Sequence, residues 1–318
     1  MILAIFPFLF FAHFLSLKTS EVTQPAQPAT GLGGASYLHE SVVFQDFAAN
    51  PDGYWLFEPA DPKPDSAHVV VFVHGYGGYN PMIYGKWIRH LVRKGNIVIY
   101  PRYQRDMLFP HPSKFSENTS KAIRDALDEL EKEGHVKPIV SHLALVGHSY
   151  GGVVCADLAV NFEKHEIPQP KVAMLCAPGT GKFSAGRLKT YEDMPEDLSL
   201  LIVVNDNDWV VGDEFALKVF NEATGVRQRN LLRQFADDHG NPTIQATHNQ
   251  CYSLDTLYDS GVRNFTANRA LQISTEDAVD FYGYWKLFDA MLECERSGQF
   301  CDAAFGGTEG HVSLGIWS

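Results

Sequence analysis

Basic residues are scarce in this chain. Only 26 Lys and Arg stand against 38 Asp and Glu, a formal net charge of −12, and no stretch forms a basic run. That balance excludes the electrostatic footprint of a nucleic-acid binder and disfavours an anionic membrane surface. Metal-ligand spacing is also missing: neither C-x-x-C nor H-E-x-x-H occurs, so no metal is expected. Neither GxGxxG nor a P-loop lysine is present, which removes a phosphate cradle, and there is no internal repeat. Cysteine is sparse, five in 318 residues. Cys155 and Cys176 sit in apolar runs as buried thiols, and Cys251 has no evident partner. Cys294 and Cys301 bracket the short polar stretch CERSGQFC and are the candidate disulfide of an exported protein.

What is present begins with an apolar run, ILAIFPFLFFAHFLSL, at residues 2–17. It is short for a spanning helix and contains Pro7 and His13, so residues 1–17 read as a secretory signal. An uncleaved membrane anchor is the alternative, since no basic residue precedes the run. The expected location is secreted or extracytoplasmic, with membrane contact only if residues 1–17 are retained. Residues 18–36, rich in Thr, Ser, Gln, Pro and Gly, read as a flexible linker, and residues 37–318 as one domain. Asn118 and Asn264 head glycosylation triplets.

From residue 37 strand-like and helix-like segments alternate. Residues 41–47 and 53–59 read as paired edge strands. Strands follow at 67–75, 96–101, 142–149, 171–178, 198–206 and 230–237, the first a β-branched run suited to burial on both faces. Helices are expected at 81–95, 117–134, 151–164, 212–225 and 275–296. The fold class is therefore α/β, a mostly parallel central sheet with helices on both faces.

One strand-to-helix junction carries chemistry. LVGHSYGG satisfies G-x-S-x-G with Gly147, Ser149 and Gly151, after an apolar strand and before a helix. A sharp turn there lifts the serine Oγ clear of the backbone and leaves no room for side chains two residues either way. Ser149 is the candidate nucleophile; the bland alternative is a capping serine in a tight turn. Oxyanion donors are expected from the N–H of Tyr150 and from that of Tyr76 in HGYGG (74–78). An acid is expected after a later strand, where NDNDWVV offers Asp206 and Asp208. Asp208 is favoured because it sits in the turn, with Trp209, Val210 and Val211 packing back on the body. Two histidines lie in the window for the base, His239 and His248. His148, beside the serine, is expected to point away and to transfer no proton.

FVHGYGG, GHSYGG and NDNDWVV together resemble the oxyanion loop, nucleophile elbow and acid turn of the α/β-hydrolase superfamily, from about residue 37 to the end. YWLFEPADP, VIYPRYQ, DDHGNPTIQATH and the terminal FYGYWKLFDAMLECERSGQFCDAAFGGT resemble exported members of its chlorophyllase-like and dienelactone-hydrolase-like branch of small esterases and lipases. The resemblance implies an α/β-hydrolase fold and a base on the A-x-H element, His248. It further implies hydrolysis of carboxylic esters with an apolar acyl or alcohol group, through an acyl-enzyme and without a cofactor. Acyl transfer or thioester cleavage on the same triad, and an inactive binding protein of the same fold, are the rivals. Plant chlorophyllases carry an arginine after the serine, where this chain has Tyr150. The stretch between CAPGT and DLSLLIV is too short for a large cap domain. In the loop 102–117, Met107, Leu108 and Phe109 either line a pocket or pack as core.

Overall fold

The computed structural model of the chain describes residues 22–181, 185–306 and 308–318. The apolar run at 1–17 and the first residues of the expected linker lie outside them. Among the described residues no helix is long and apolar enough to cross a membrane.

The described residues form an eight-stranded sheet in the order β1-β2-β4-β3-β5-β6-β7-β8. β1 (Ser41–Asp46) and β2 (Tyr54–Ala60) pair antiparallel, Ser41 opposite Ala60, and β2 runs antiparallel to β4 (Asn96–Pro101). From β3 (Ser66–Val73) onward the pairing is parallel through β5 (Lys137–His148), β6 (Val172–Cys176), β7 (Ser199–Asn205) and β8 (Gln228–Gln234). Parallel neighbours need crossovers, and the helices supply them. This is the open, two-face-covered architecture that the resemblance implies.

Strand side chains alternate between two helical layers, as a pleated strand demands. Val70 and Phe72 of β3 face a core shared with Trp87, Ile88 and Leu91 of α1 (Gly85–Arg93). Val69, Val71 and Val73 face the other layer. There they meet Ile123 of α2 (Phe115–Leu130), Leu158 of α3 (Tyr150–Val160) and Phe215 of α4 (Glu214–Glu222). α3 is buried on nearly every side, so it carries no amphipathic signal and sits centrally behind β5.

Several elements differ from expectation. The sequence pattern gave no helix over α5 (Phe265–Ile273), because the face it buries is small: Thr266, Ala267 and Ala270. Its start is set by Asn264, whose side chain accepts from the Ala267 N–H. The helix expected at 275–296 is a π-helical turn over Val279–Trp285 that runs straight into α6 (Lys286–Ser297). The described part of the expected linker is not loose. Gly33 is buried with φ +68°, and its N–H donates to Asp289 Oδ2 at 2.8 Å. The Thr23 N–H donates to the Ser318 carbonyl at 2.8 Å. Backbone hydrogen bonds hold this segment, and composition does not report them.

Cys294 and Cys301 form a disulfide, and Cys155, Cys176 and Cys251 are buried free thiols. Both glycosylation-type asparagines have structural work. Asn118 Nδ2 donates to the Tyr103 carbonyl and Asn264 Nδ2 to the Gly77 carbonyl.

Candidate active site

Ser149 joins the end of β5 to the start of α3 with φ +55° and ψ −120°, a conformation that strains any side-chain-bearing residue. The surrounding glycines make it sterically possible. A Cβ on Gly151 would stand 2.0 Å from the Val73 carbonyl oxygen, and one on Gly147 would stand 2.5 Å from the Gly151 oxygen. The Ser149 N–H donates to the Cys176 carbonyl at 2.9 Å, tying the turn to β6. The motif glycines are thus close-approach residues rather than loop filler.

Asp208 follows β7, and its Oδ1 accepts from the N–H groups of Val210 (2.9 Å) and Val211 (3.1 Å). Its Oδ2 meets His248 Nδ1 at 2.7 Å, and His248 Nε2 meets Ser149 Oγ at 2.9 Å. All three residues are buried. Burial pushes the Asp208 carboxyl up, but the His248 hydrogen bond, its charge and the two N–H groups outweigh that and hold it below the usual carboxylate range. With Nδ1 bonded to a carboxylate, His248 presents Nε2 to the hydroxyl as an acceptor, the arrangement of a base beside a nucleophile.

The segment before His248 is pinned from the end of β7 and the turn that follows it. Asn205 Nδ2 donates to the Thr247 carbonyl at 2.8 Å, and the Asn207 N–H to the Ala246 carbonyl at 3.0 Å. The other acid and base alternatives go elsewhere. Asp206 is half exposed, 3.9 Å from Arg233. His239 pairs with Asp237 at the surface and packs on the Trp317 ring, centroids 4.4 Å apart.

The HGYGG loop lies against the nucleophile: a Cβ on Gly75 would stand 3.2 Å from Ser149 Cβ. This places Tyr76 beside the serine. Three side chains fix the loop: Gln104 Oε1 accepts from the Gly77 N–H (2.7 Å), Asn264 Nδ2 donates to the Gly77 carbonyl (2.8 Å), and Thr266 Oγ1 donates to the Tyr76 carbonyl (3.0 Å). The last two come from the start of α5 and were missed in the sequence; the Asn264 cap was the available signal. Tyr150 opens α3, where an N–H has no intrahelical acceptor. Its ring is buried, its hydroxyl donates to the Ala185 carbonyl, and burial pushes its pKa up to about 12.

One expectation fails here. Trp209 and Val210 do not pack back on the body but stand 90% and 60% exposed. Asp208 takes up their turn's N–H groups instead, and only Val211 packs inward, against Gly179. Leu108 and Phe109 are likewise exposed, while Met107 packs on Gly77. Phe265, at the start of α5, is 76% exposed. A separate apolar recess of about 410 Å³ flanks β8 between Leu232, Ile244 and Leu287; none of the candidate residues lines it. Among the described residues no group of three His, Cys, Asp or Glu side chains is placed to hold a metal ion.

A family model described as Chlorophyllase matches residues 46–185, just under half of the chain. The match contains the HGYGG loop and the serine elbow and ends before Asp208 and His248. It supports ester hydrolysis as the general class of activity. No curated protein matches the chain.

Proposed function

We propose that this chain is a serine esterase of the α/β-hydrolase superfamily that cleaves carboxylic esters through an acyl-enzyme on Ser149. One observation carries the reading: Ser149 Oγ, His248 Nε2, His248 Nδ1 and Asp208 Oδ2 are joined by contacts of 2.9 and 2.7 Å. His248 takes the hydroxyl proton as Oγ attacks the ester carbonyl, and Asp208 stabilises the imidazolium that forms. The oxyanion accepts from the N–H groups of Tyr76 and Tyr150, with the α3 N-terminus adding favourable partial charge. The tetrahedral intermediate expels the alcohol, which takes the proton from His248. Water then attacks the acyl-enzyme with His248 again as base, releasing the acid and restoring Ser149.

The substrate is an ester with an apolar acyl or alcohol group. Exposed apolar side chains on two loops and one helix start support this: Leu108 and Phe109 after β4, Trp209 and Val210 after β7, and Phe265 at the start of α5, beside the HGYGG loop. Such exposed apolar side chains favour contact with an apolar part of the substrate. The protein is exported through residues 1–17, a reading supported by the disulfide, which persists in oxidising compartments.

The test is hydrolysis of p-nitrophenyl esters from acetate to palmitate together with fluorophosphonate labelling. Ser149→Ala and His248→Ala are expected to lose at least about 10⁴-fold in kcat, and His239→Ala to stay near wild type. A wild-type protein that cleaves no ester and takes no label overturns the reading.

A further inference from the structure

The chemistry described leaves one buried group beside the nucleophile unused. His148 points away from Ser149 Oγ, and its ring is held at both nitrogens. Nδ1 lies 2.8 Å from the Tyr84 hydroxyl and Nε2 lies 2.8 Å from the backbone carbonyl oxygen of His248. The Tyr84 hydroxyl also accepts from the Gly75 N–H at 3.1 Å. These contacts span residues 75 to 248 and link two separate parts of the site, the oxyanion loop and the base.

Donor and acceptor rules orient every proton in this chain. The His248 carbonyl can only accept, so His148 Nε2 carries the hydrogen. In a neutral ring Nδ1 is then bare, so the Tyr84 hydroxyl donates to it. That leaves the Tyr84 oxygen lone pairs for the Gly75 N–H. Burial, and secondarily the neighbouring His248 ring, pushes the His148 pKa down to about 3, which keeps the ring neutral. Neutrality matters for chemistry too. The His148 and His248 rings lie 4.8 Å apart between centroids, and a charged His148 would oppose the imidazolium that His248 becomes. The packing that permits the chain needs glycine at 75, since a Cβ there would stand 2.9 Å from His148 Nδ1. Tyr252 packs edge-on against both the Tyr84 and His148 rings, closing the chain from the remaining side.

We infer that His148 and Tyr84 are positioning residues that hold the base His248 and the oxyanion loop in one register through the hydrogen-bond chain Gly75 N–H, Tyr84 O–H, His148 Nε2–H, His248 C=O. The inference rests on the esterase reading above. Neither side chain touches substrate. Each acts by fixing where Nε2 of His248 and the HGYGG backbone stand relative to Ser149, and small displacements there cost rate rather than binding.

The experiment measures kcat, KM and the rate of fluorophosphonate labelling for wild type, Tyr84→Phe, His148→Leu, His148→Gln and the double variant Tyr84→Phe/His148→Leu. Thermal melting checks that each is folded. Tyr84→Phe is expected to lower kcat and the labelling rate about 10-fold and His148→Leu about 100-fold, with KM unchanged. His148→Gln, which keeps an N–H donor and an oxygen acceptor, restores most of the loss. Adding Tyr84→Phe to His148→Leu costs little further, because the chain is already broken. Should His148→Leu not fold, Tyr84→Phe and His148→Gln carry the test. Folded variants with unchanged kcat, or losses confined to KM, or strictly additive losses, overturn the inference. A wild type that neither labels nor hydrolyses overturns the esterase reading instead.

Discussion

The serine half of the site and the acid–base half differ in how far along the chain their supports lie. Ser149 is shaped by Gly147, Gly151 and the backbone of β3 packed behind it, and the residues that matter repeat a short pattern. His248 is held by partners 40, 99 and 100 residues away: Asp208, Ser149 and His148. The family match follows the same division, covering residues 46–185 and stopping before Asp208. Local steric necessity leaves a recognisable signature, whereas a side chain held by distant contacts can be reached by many loop sequences. The first half is therefore set by local sterics, and the second by its hydrogen bonds.

The sharpest break of this comparison lies in the acid. Asp208→Asn leaves His248 without a carboxylate and is expected to lower kcat by about 10²- to 10⁴-fold, while Asp206→Asn, two residues away, changes it little. Steady-state kinetics on both variants decides it, and equal losses would place the acid at neither position. Next is the steric half. Gly151→Ala drives a Cβ into the Val73 carbonyl and is expected to destabilise by at least about 3 kcal/mol. Gly212, unlike Gly151, has a positive φ of +65° but an added Cβ meets nothing within 4 Å, so Gly212→Ala is expected to cost only about 1 kcal/mol of backbone strain. Urea unfolding of the pair separates crowding from strain.

Acid sensitivity should arise mainly in the first half. Burial pushes His68 and His74 down to about 4 and His148 to about 3, whereas an unfolded histidine titrates near 6.5. Between those values the unfolded chain binds more protons than the native one. Stability is then fully present above about pH 6.5 and falls as pH drops towards 4. Melting temperature across that window is expected to decline, and His74→Gln to shallow the slope; a flat profile would contradict the neutral rings. The smallest effect is at the far end. Replacing Cys294 and Cys301 by serine opens a short loop and should cost about 2 kcal/mol in unfolding without altering kcat.

Much of this molecule was legible in one dimension, but unevenly. The β-branched runs of β3 and β4 and the G-x-S-x-G turn announce themselves, because burial on two faces and a strained turn each admit few residue types. The disulfide followed from a short spacing. α5 did not, since a helix whose buried face is threonine and alanine shows no apolar period. Trp209 was misread because an apolar triplet after an acid looks like core, and only the turn's hydrogen bonds to Asp208 turn it outward. Residues 22–36 were misread because backbone contacts to Asp289 and Ser318 leave no trace in composition.

The sequence alone determined the α/β class, the strand–turn–helix that exposes Ser149 and the set of residues from which an acid and a base had to come. Each of those is governed by contacts within a few residues or by the burial of a whole segment, and both act on residue type. Tertiary structure decided that His248 rather than His239 stands beside Ser149, that Asp208 rather than Asp206 stands beside His248, and that the His148 ring bridges the Tyr84 hydroxyl and the His248 carbonyl. Those choices turn on contacts between segments 40 to 100 residues apart, where every candidate has the same chemistry and only the fold tells them apart.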